Sequence, residues 1–156
     1  MVDILMANGF IGFTKVEKLA TEVNNIVDLP GVYIVLYMSN LKPNFILKGT
    51  GGFFKNKNPN VKIEILDDNW VTNANIVYIG KATSLQVRIK QFIYFGQGRN
   101  IGHYGGRYIW QIEKSNELLF CWKIFDNINP RDFEKKLINQ FQQKYYKKPF
   151  ANLKSK

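Results

Sequence analysis

Residues 77–88 constrain the fold of this chain more than any other stretch of the sequence. They continue a run of β-forming residues, 76–79, that ends at Gly80. The hydroxyl groups of Thr83 and Ser84 then precede a helical pattern, which is typical of a helix N-cap. A strand, a turn and a helix in this order present a tyrosine, a lysine and an arginine from one compact unit. This combination predicts a site for phosphate chemistry.

The helix after Gly80 is predicted over residues 84–95 and is expected to end at Gly96. Apolar residues recur along it at helical spacing and predict its buried stripe. Arg88 borders this stripe, so we expect its guanidinium group to be half-buried. Without the two tyrosine motifs, an ion pair or a stem lying on apolar surface would be the better explanation of such an arginine.

Two further strands are predicted in the same sheet. One begins at Gly31 and runs to Tyr37, and its alternation places Tyr33 on the more polar face. The other is the apolar run at residues 118–125, which is typical of a buried strand. Residues 108–112 fit a strand or a short helix.

Two more helices frame these strands. Thr14 and Glu17 have the spacing of a capping box, and the residues after them predict a helix over about residues 15–25. Pro130, which follows an asparagine, predicts the first turn of a C-terminal helix. Glu134 lies early in that helix, where the helix dipole alone also favours a glutamate.

The order of these motifs resembles the GIY-YIG nuclease family over about residues 30–152. The residues that carry the resemblance are Gly31-Val32-Tyr33, Tyr78-Ile79-Gly80, Lys81, Arg88, Glu134 and the closing Pro149-Phe150-Ala151-Asn152. The resemblance implies an α/β (α+β) fold with a small mixed three-stranded β-sheet flanked by α-helices. Residues 1–156 are then expected to form a single domain, in which residues 1–29 are an N-terminal helical extension.

The resemblance also implies roles for the charged and phenolic residues. Tyr33 would be the general base, and Tyr78 would orient the water or the phosphate. Lys81 and Arg88 would offset charge on the phosphoryl oxygens. A free phenol has a pKa of about 10, so Tyr33 can act as a base only if nearby cations lower that pKa.

The remaining expected site residues lie in the C-terminal half. Glu134 would hold a divalent metal, most simply Mg²⁺ and alternatively Mn²⁺, and Asn152 would form hydrogen bonds that fix the tail. In several branches of the family a histidine or tyrosine follows the arginine by four residues, but Phe92 occupies that position here. His103 is therefore kept as a second candidate for proton handling, although a structural role is common for a loop histidine.

Two basic segments are candidates for contact with nucleic acid. Residues 41–75 form a long insertion between the two tyrosine-bearing strands, which the family usually joins by a short hairpin. Residues 96–107 form a glycine-rich segment. The basic candidates in them are Lys42, Lys48, Lys55, Lys57, Arg99 and Arg107. Aromatic residues between the lysines suit a surface that follows a nucleic-acid backbone, but a solvated loop explains both segments equally well.

Charge and composition limit the function further. The formal net charge of +10 favours a polyanionic partner, and the single cysteine, Cys121, excludes an internal disulfide. No stretch approaches the length of a membrane span, so a cytoplasmic protein without a membrane partner is expected. The sequence predicts a metal-dependent DNA endonuclease, of the restriction or defence type or of the repair or recombination type. A non-catalytic nucleic-acid-binding module on the same fold is the alternative, and the oligomeric state stays open.

Overall fold

The computed structural model describes residues 1–153 and builds that part of the chain from four β-strands and five α-helices. In chain order the elements are α1 (Val2–Ala7), β1 (Ile11–Lys15), α2 (Val16–Glu22), β2 (Gly31–Leu36), α3 (Ile63–Asn69), β3 (Ile76–Ala82), α4 (Leu85–Gly96), β4 (Leu119–Ile124) and α5 (Arg131–Tyr145). Short 3₁₀ turns lie at Val23–Asn25, Phe54–Asn56, Tyr104–Gln111 and Ser115–Glu117. None of the helices over residues 1–153 is long and apolar enough to cross a membrane.

The four strands form one sheet in the order β1-β4-β2-β3, and every neighbouring pair is antiparallel. The predicted mixed three-stranded sheet is therefore wrong in both strand number and direction. Strand β2 lies in the interior of the sheet, where Tyr33 is opposite Gly80 of β3 and Trp122 of β4. This register brings the two tyrosine motifs side by side.

The fourth strand, β1, was missed because its backbone departs from regular alternation. Gly12 and Phe13 both have positive φ angles, +101° and +48°, and the pairing with β4 shifts between Ile11 and Thr14. The Thr14 hydroxyl donates to the Gly12 carbonyl instead of capping α2, so the predicted capping box does not form. Helix α2 itself is confirmed, but the extension at residues 1–29 is not only helical because it supplies an edge strand.

The sheet is covered on both faces. Helices α2 and α4, together with the segment around residues 104–112, cover one face, and α1 and α5 cover the other. All six residues of β2 are buried, so the expectation that Tyr33 lies on a polar face is wrong. An aromatic layer that includes Phe92 and Phe120 packs against this tyrosine, and only the tertiary fold brings that layer to β2.

The helices that flank the candidate site agree with the sequence patterns. Ser84 caps α4, because its Oγ accepts a hydrogen bond from the Val87 N–H at 3.2 Å. Helix α5 begins at Arg131, one residue later than predicted, and Pro130 is its N-cap instead of its first residue. The undecided stretch at residues 108–112 is neither a strand nor a regular α-helix, since it contains 3₁₀ turns and one isolated bridge between Ile112 and Phe45.

Candidate active site

The glycines of both tyrosine motifs are required by close packing. The ring of Tyr33 lies across Gly80, where an added Cβ would be 2.5 Å from its Cζ and 2.7 Å from its hydroxyl oxygen. A Cβ at Gly31 would clash with the Lys123 carbonyl oxygen and the Leu85 side chain. A neighbouring strand or ring therefore occupies the space that a side chain at either glycine would need.

Tyr33 and His103 form a buried hydrogen-bonded pair. The Tyr33 hydroxyl oxygen lies 2.7 Å from His103 Nε2, and the imidazole tautomer determines which atom donates. His103 is only 1% exposed, and its ring centroid lies 4.0 Å from that of Phe92. Its Nδ1 has no hydrogen-bond partner among the described residues. The structure thus brings the loop histidine to the first tyrosine motif.

Burial keeps both members of this pair neutral. The pKa of Tyr33 is raised well above 10, first by desolvation and then by Tyr78, while Arg88 opposes the shift. Desolvation, followed by the charge of Arg88, lowers the pKa of His103 to about 3. Burial also raises the pKa of Tyr78, and Tyr33 and Arg88 oppose that shift. Arg88 therefore lowers the pKa of Tyr33, as expected of a nearby cation, but desolvation raises that pKa by more.

Arg88 lies at the wall of an open cleft next to this aromatic cluster, and its predicted half-buried position is confirmed. Its Nη1 donates to Gln91 Oε1 at 3.0 Å and to the Gly102 carbonyl at 3.2 Å. No carboxylate of residues 1–153 forms an ion pair with it. The cleft has a volume of about 530 Å³ and is lined by Lys81, Ala82, Thr83, Ser84, Val87, Arg88, Gln91, Asn129 and Pro130.

Lys81 is associated with Glu134 rather than with Tyr33. Burial raises the pKa of the half-buried Glu134 carboxyl, and the ammonium and backbone N–H of Lys81 oppose that shift. The charge of Glu134 in turn raises the pKa of Tyr78, so this carboxylate acts electrostatically on the second tyrosine motif. Lys81 thus favours the ionised form of Glu134, although the two side chains form no ion pair within 4.0 Å.

The residues around Glu134 fit a hydrated divalent metal. No group of three His, Cys, Asp or Glu side chains comes together within the described part of the chain. Glu134 forms no ion pair within 4.0 Å over the same residues, and its negative charge raises the pKa of Tyr78. Mg²⁺ keeps most of its water ligands and commonly binds through one or two carboxylates, so this single carboxylate suits it.

Asn152 lies at the outer edge of β3. Its Nδ2 donates to the Ile79 carbonyl at 2.8 Å, and its Oδ1 accepts from the Ile79 N–H at 2.9 Å. The Ala151 N–H also donates to the Val77 carbonyl at 2.8 Å. These bonds match the tail-fixing role expected of Asn152. Both polar atoms of its side-chain amide are bonded to main-chain groups of Ile79.

Two of the six candidate nucleic-acid-binding residues meet at one cleft. Lys57 and Arg107 line a cleft of about 660 Å³ together with Asn69, Tyr104, Gly105, Tyr108 and Leu153. The Arg107 guanidinium lies 4.0 Å from the Tyr104 ring centroid and donates to the Tyr104 carbonyl at 3.2 Å. The Lys57 ammonium lies 5.7 Å from the centroid of the same ring. Tyr104 therefore holds two cations in place.

The other four basic candidates are dispersed. Lys42 forms an ion pair with Asp67, which neutralises part of its charge. Lys48 and Lys55 are exposed, and Arg99 stacks on Tyr94 at 4.1 Å. Sequence reasoning missed Gln91, which holds Arg88; its position three residues later on the same helix was the available signal.

The fold places an arginine that forms no ion pair among residues 1–153 at the wall of an open cleft, near the two tyrosine motifs, and such a guanidinium group suits the binding of a phosphate. The model of the GIY-YIG catalytic domain matches residues 65–147, which is more than half of the chain. The chain therefore belongs to the GIY-YIG family, a family of nucleases that cleave DNA. The matched region contains Tyr78, Lys81, Arg88 and Glu134, whereas Tyr33 precedes it. Comparison with curated proteins and with solved structures gave no match.

Proposed function

We propose that this chain is an endonuclease that hydrolyses phosphodiester bonds in DNA with the help of Mg²⁺ or Mn²⁺. The observation that carries the proposal is the position of Arg88. This arginine lies in the family-matched region, lines an open cleft and lowers the pKa values of both tyrosines. A guanidinium group at such a place can bind a phosphate with two parallel hydrogen bonds and stabilise charge that grows in the transition state.

The bond changes of the proposed reaction assign a task to the tyrosines. Water oxygen forms a bond to phosphorus, the bond from phosphorus to one ester oxygen breaks, and the water proton must leave. Tyr33 is fully buried, whereas Tyr78 is 9% exposed, so Tyr78 is the tyrosine that can meet the water. We therefore expect Tyr78 to accept the water proton while its own proton passes to Tyr33.

Tyr33 in its phenolate form is the final acceptor in this proposed relay, because a histidine with a pKa of about 3 is too weak a base to keep the proton. His103 positions this phenolate by donating a hydrogen bond from Nε2 across the 2.7 Å contact, which needs the imidazole tautomer with hydrogen on Nε2. The leaving ester oxygen takes a proton from solvent. Arg88 favours the phenolate form of both tyrosines, and this helps the relay at the stage when negative charge forms there.

Glu134 is the residue that would hold the metal. A bound divalent cation would offset charge on the phosphoryl oxygens and lower the pKa of a bound water. Lys81 keeps the pKa of Glu134 from rising further, so the carboxylate is more readily ionised and able to bind a cation. The retained carboxylate favours an enzyme over the alternative of a non-catalytic nucleic-acid-binding module, because a negative group near phosphate weakens simple binding.

The cleft at Lys57 and Arg107 is the proposed path for the DNA backbone away from Arg88. Tyr104 lies between the two cations and directly follows His103 in the chain, so the cleft begins next to the tyrosine cluster. Phosphate binding there would come mainly from charge and would be independent of base sequence. Roles in restriction or defence and in repair or recombination both agree with this arrangement.

A plasmid assay tests the proposed function. Purified protein is incubated with supercoiled plasmid and Mg²⁺, Mn²⁺ or EDTA, and the Arg88→Ala variant is assayed beside it. We expect nicked or linear product only with a divalent metal, and a large loss of cleavage in the variant. Plasmid that is bound but never cut under any metal condition would support the binding module instead.

A further inference from the structure

The insertion between β2 and β3 is bound along its length to the segment that carries His103. The Gly52 N–H donates to the Phe95 carbonyl at 2.8 Å, and the Thr50 N–H donates to the Trp110 carbonyl at 3.1 Å. The Ile46 N–H donates to the Gln111 carbonyl at 2.8 Å. Residues 44–61 therefore form a wall behind residues 95–113 rather than a free arm.

Gln111 is the buried centre of this connection. Its side chain is 1% exposed, and its Nε2 donates to the carbonyls of Ile46 at 3.1 Å and Val61 at 2.9 Å. Its Oε1 accepts from the Val61 N–H at 2.8 Å. A buried amide with its polar atoms satisfied by two separate stretches of the insertion fixes the register between them.

The residues on both sides of His103 contact the same insertion. An added Cβ at Gly102 would be 3.2 Å from the end of the Phe54 ring, so that ring borders the backbone just before His103. On the other side, the Tyr104 hydroxyl donates to the Asn58 carbonyl at 3.2 Å. The Lys55 N–H donates to Asn100 Oδ1 at 3.3 Å. The histidine is thus bracketed by contacts with residues 54–58.

His103 needs such support because its own segment lacks regular structure. Helix α4 ends at Gly96, and residues 97–103 form turns and bends outside any helix or strand before the 3₁₀ turns begin at Tyr104. A glycine-rich segment loses much conformational entropy when it is ordered. His103 nevertheless lies fully packed with Nε2 at hydrogen-bond distance from Tyr33.

We propose that residues 44–61 are a scaffold that positions His103 against Tyr33, and that Phe54 and Tyr104 are the positioning residues. The consequence for catalysis rests on the proposed function, but the placement of His103 can be measured without any cleavage. The insertion would then serve the proton-handling side of the site, in addition to any contact with DNA.

Nuclear magnetic resonance of the imidazole ring tests the placement directly. His103 is the only histidine of the chain, so its ¹⁵N ring signals need no assignment. We compare the wild type with Phe54→Ala and with the matched control Phe53→Ala, whose ring is 54% exposed. The wild type and the control should show one neutral tautomer from pH 5 to pH 8. Phe54→Ala should show exchange between tautomers and titration of the ring within that range.

Cleavage kinetics give the second readout. Phe54→Ala should lower kcat about tenfold, because the ring acts on the reaction through the placement of His103. Any accompanying rise in KM would come from Lys55, whose ammonium lies 5.3 Å from the centroid of that ring. Phe54→Leu, which retains an apolar side chain, should restore part of kcat. A wild type that never cuts DNA would defeat the proposed function, but it would leave the resonance test valid.

Tyr104→Phe is a second, milder variant that keeps the proposal testable if Phe54→Ala fails to fold. This variant removes only the hydroxyl that binds Asn58, and it should broaden or shift the His103 ring signals in the same direction by a smaller amount. The proposal is overturned if both variants keep the wild-type ring signals. It is also overturned if Phe53→Ala changes those signals as much as Phe54→Ala does.

Discussion

The hydroxyl oxygen of Tyr33 and Nε2 of His103 lie 2.7 Å apart, although 70 positions separate the two residues in the chain. Phe92, at the position where several branches of the family carry a histidine or tyrosine, packs against the ring of this same histidine. An imidazole therefore reaches the first tyrosine motif from a different segment.

Tyr33→Phe should lower kcat by about 10²-fold or more with little change in KM, because it removes a hydroxyl that handles a proton and keeps the ring. The wild-type rate should still rise with pH at pH 9, since burial raises the pKa of Tyr33 well above its ordinary value. The rate of Tyr33→Phe should not rise with pH in this range. Single-turnover rates from pH 6 to pH 10 provide the measurement, and an unchanged rate and profile would exclude Tyr33 from the relay.

Glu134→Gln should abolish metal-dependent cleavage and leave DNA binding equal or tighter, because the substitution removes a metal ligand and one negative charge. Asp132→Asn is the matched control, since this exposed residue lies in the same first turn of α5 and its loss changes the net charge equally. Cleavage and filter binding are measured across a Mg²⁺ titration. Full cleavage by Glu134→Gln at saturating Mg²⁺ would exclude it as the ligand.

Arg107→Gln and Lys57→Gln should each weaken DNA binding and reduce the slope of log affinity against log salt by about 0.9 per lost phosphate contact. Lys42→Gln should change that slope less, because Lys42 is already paired with Asp67. Lys18→Gln should also change it less, because Lys18 lies on α2 and does not line this cleft. Binding of one labelled duplex at four salt concentrations checks this. Equal slopes in all four variants would mean that the cleft at Tyr104 does not hold the backbone.

Gly80→Ala should destabilise the protein by about 1–3 kcal/mol, because the new methyl group would overlap the Tyr33 ring. Gly105→Ala is the matched control, since an added Cβ there meets no atom of residues 1–153 within 4 Å. Denaturant unfolding gives both free energies of unfolding. A Gly80→Ala variant as stable as the control would show that Tyr33 does not lie across this glycine.

The low pKa of His103 makes stability sensitive to acid. Its pKa is about 3 in the native protein and 6.5 in the unfolded chain, so only the unfolded chain binds a proton between these values. The contribution of the neutral histidine is complete above pH 6.5 and is lost as pH falls towards 3. At pH 5 the loss amounts to about 2 kcal/mol.

His103→Gln removes this titration and keeps a polar side chain. The free energy of unfolding should therefore fall about 2 kcal/mol less between pH 7 and pH 5 in the variant than in the wild type. Urea unfolding at the two pH values measures both differences, and the carboxylates contribute similarly to each protein. Equal losses in the two proteins would show that His103 is not held neutral by burial.

The sequence alone determined the local units that carry most of the site. Residues 76–88 could be read as a strand, a turn and a capped helix, because apolar periodicity and N-capping are properties of neighbouring residues. The same reasoning placed Arg88 at the edge of a buried stripe and Glu134 in the first turns of a helix, and the structure agrees with both.

Only the tertiary structure decided how these units meet. The burial of Tyr33, the pairing of β1 and the approach of His103 depend on contacts between residues that are far apart in the chain, and no local pattern encodes them. The bulged backbone at Gly12 and Phe13 obscured β1, and the segment around His103 has no hydrophobic periodicity that could indicate its position. The sequence of the insertion also fitted a solvated loop, because the hydrogen bonds that make it a wall join it to Phe95, Trp110 and Gln111, about forty positions or more away in the chain.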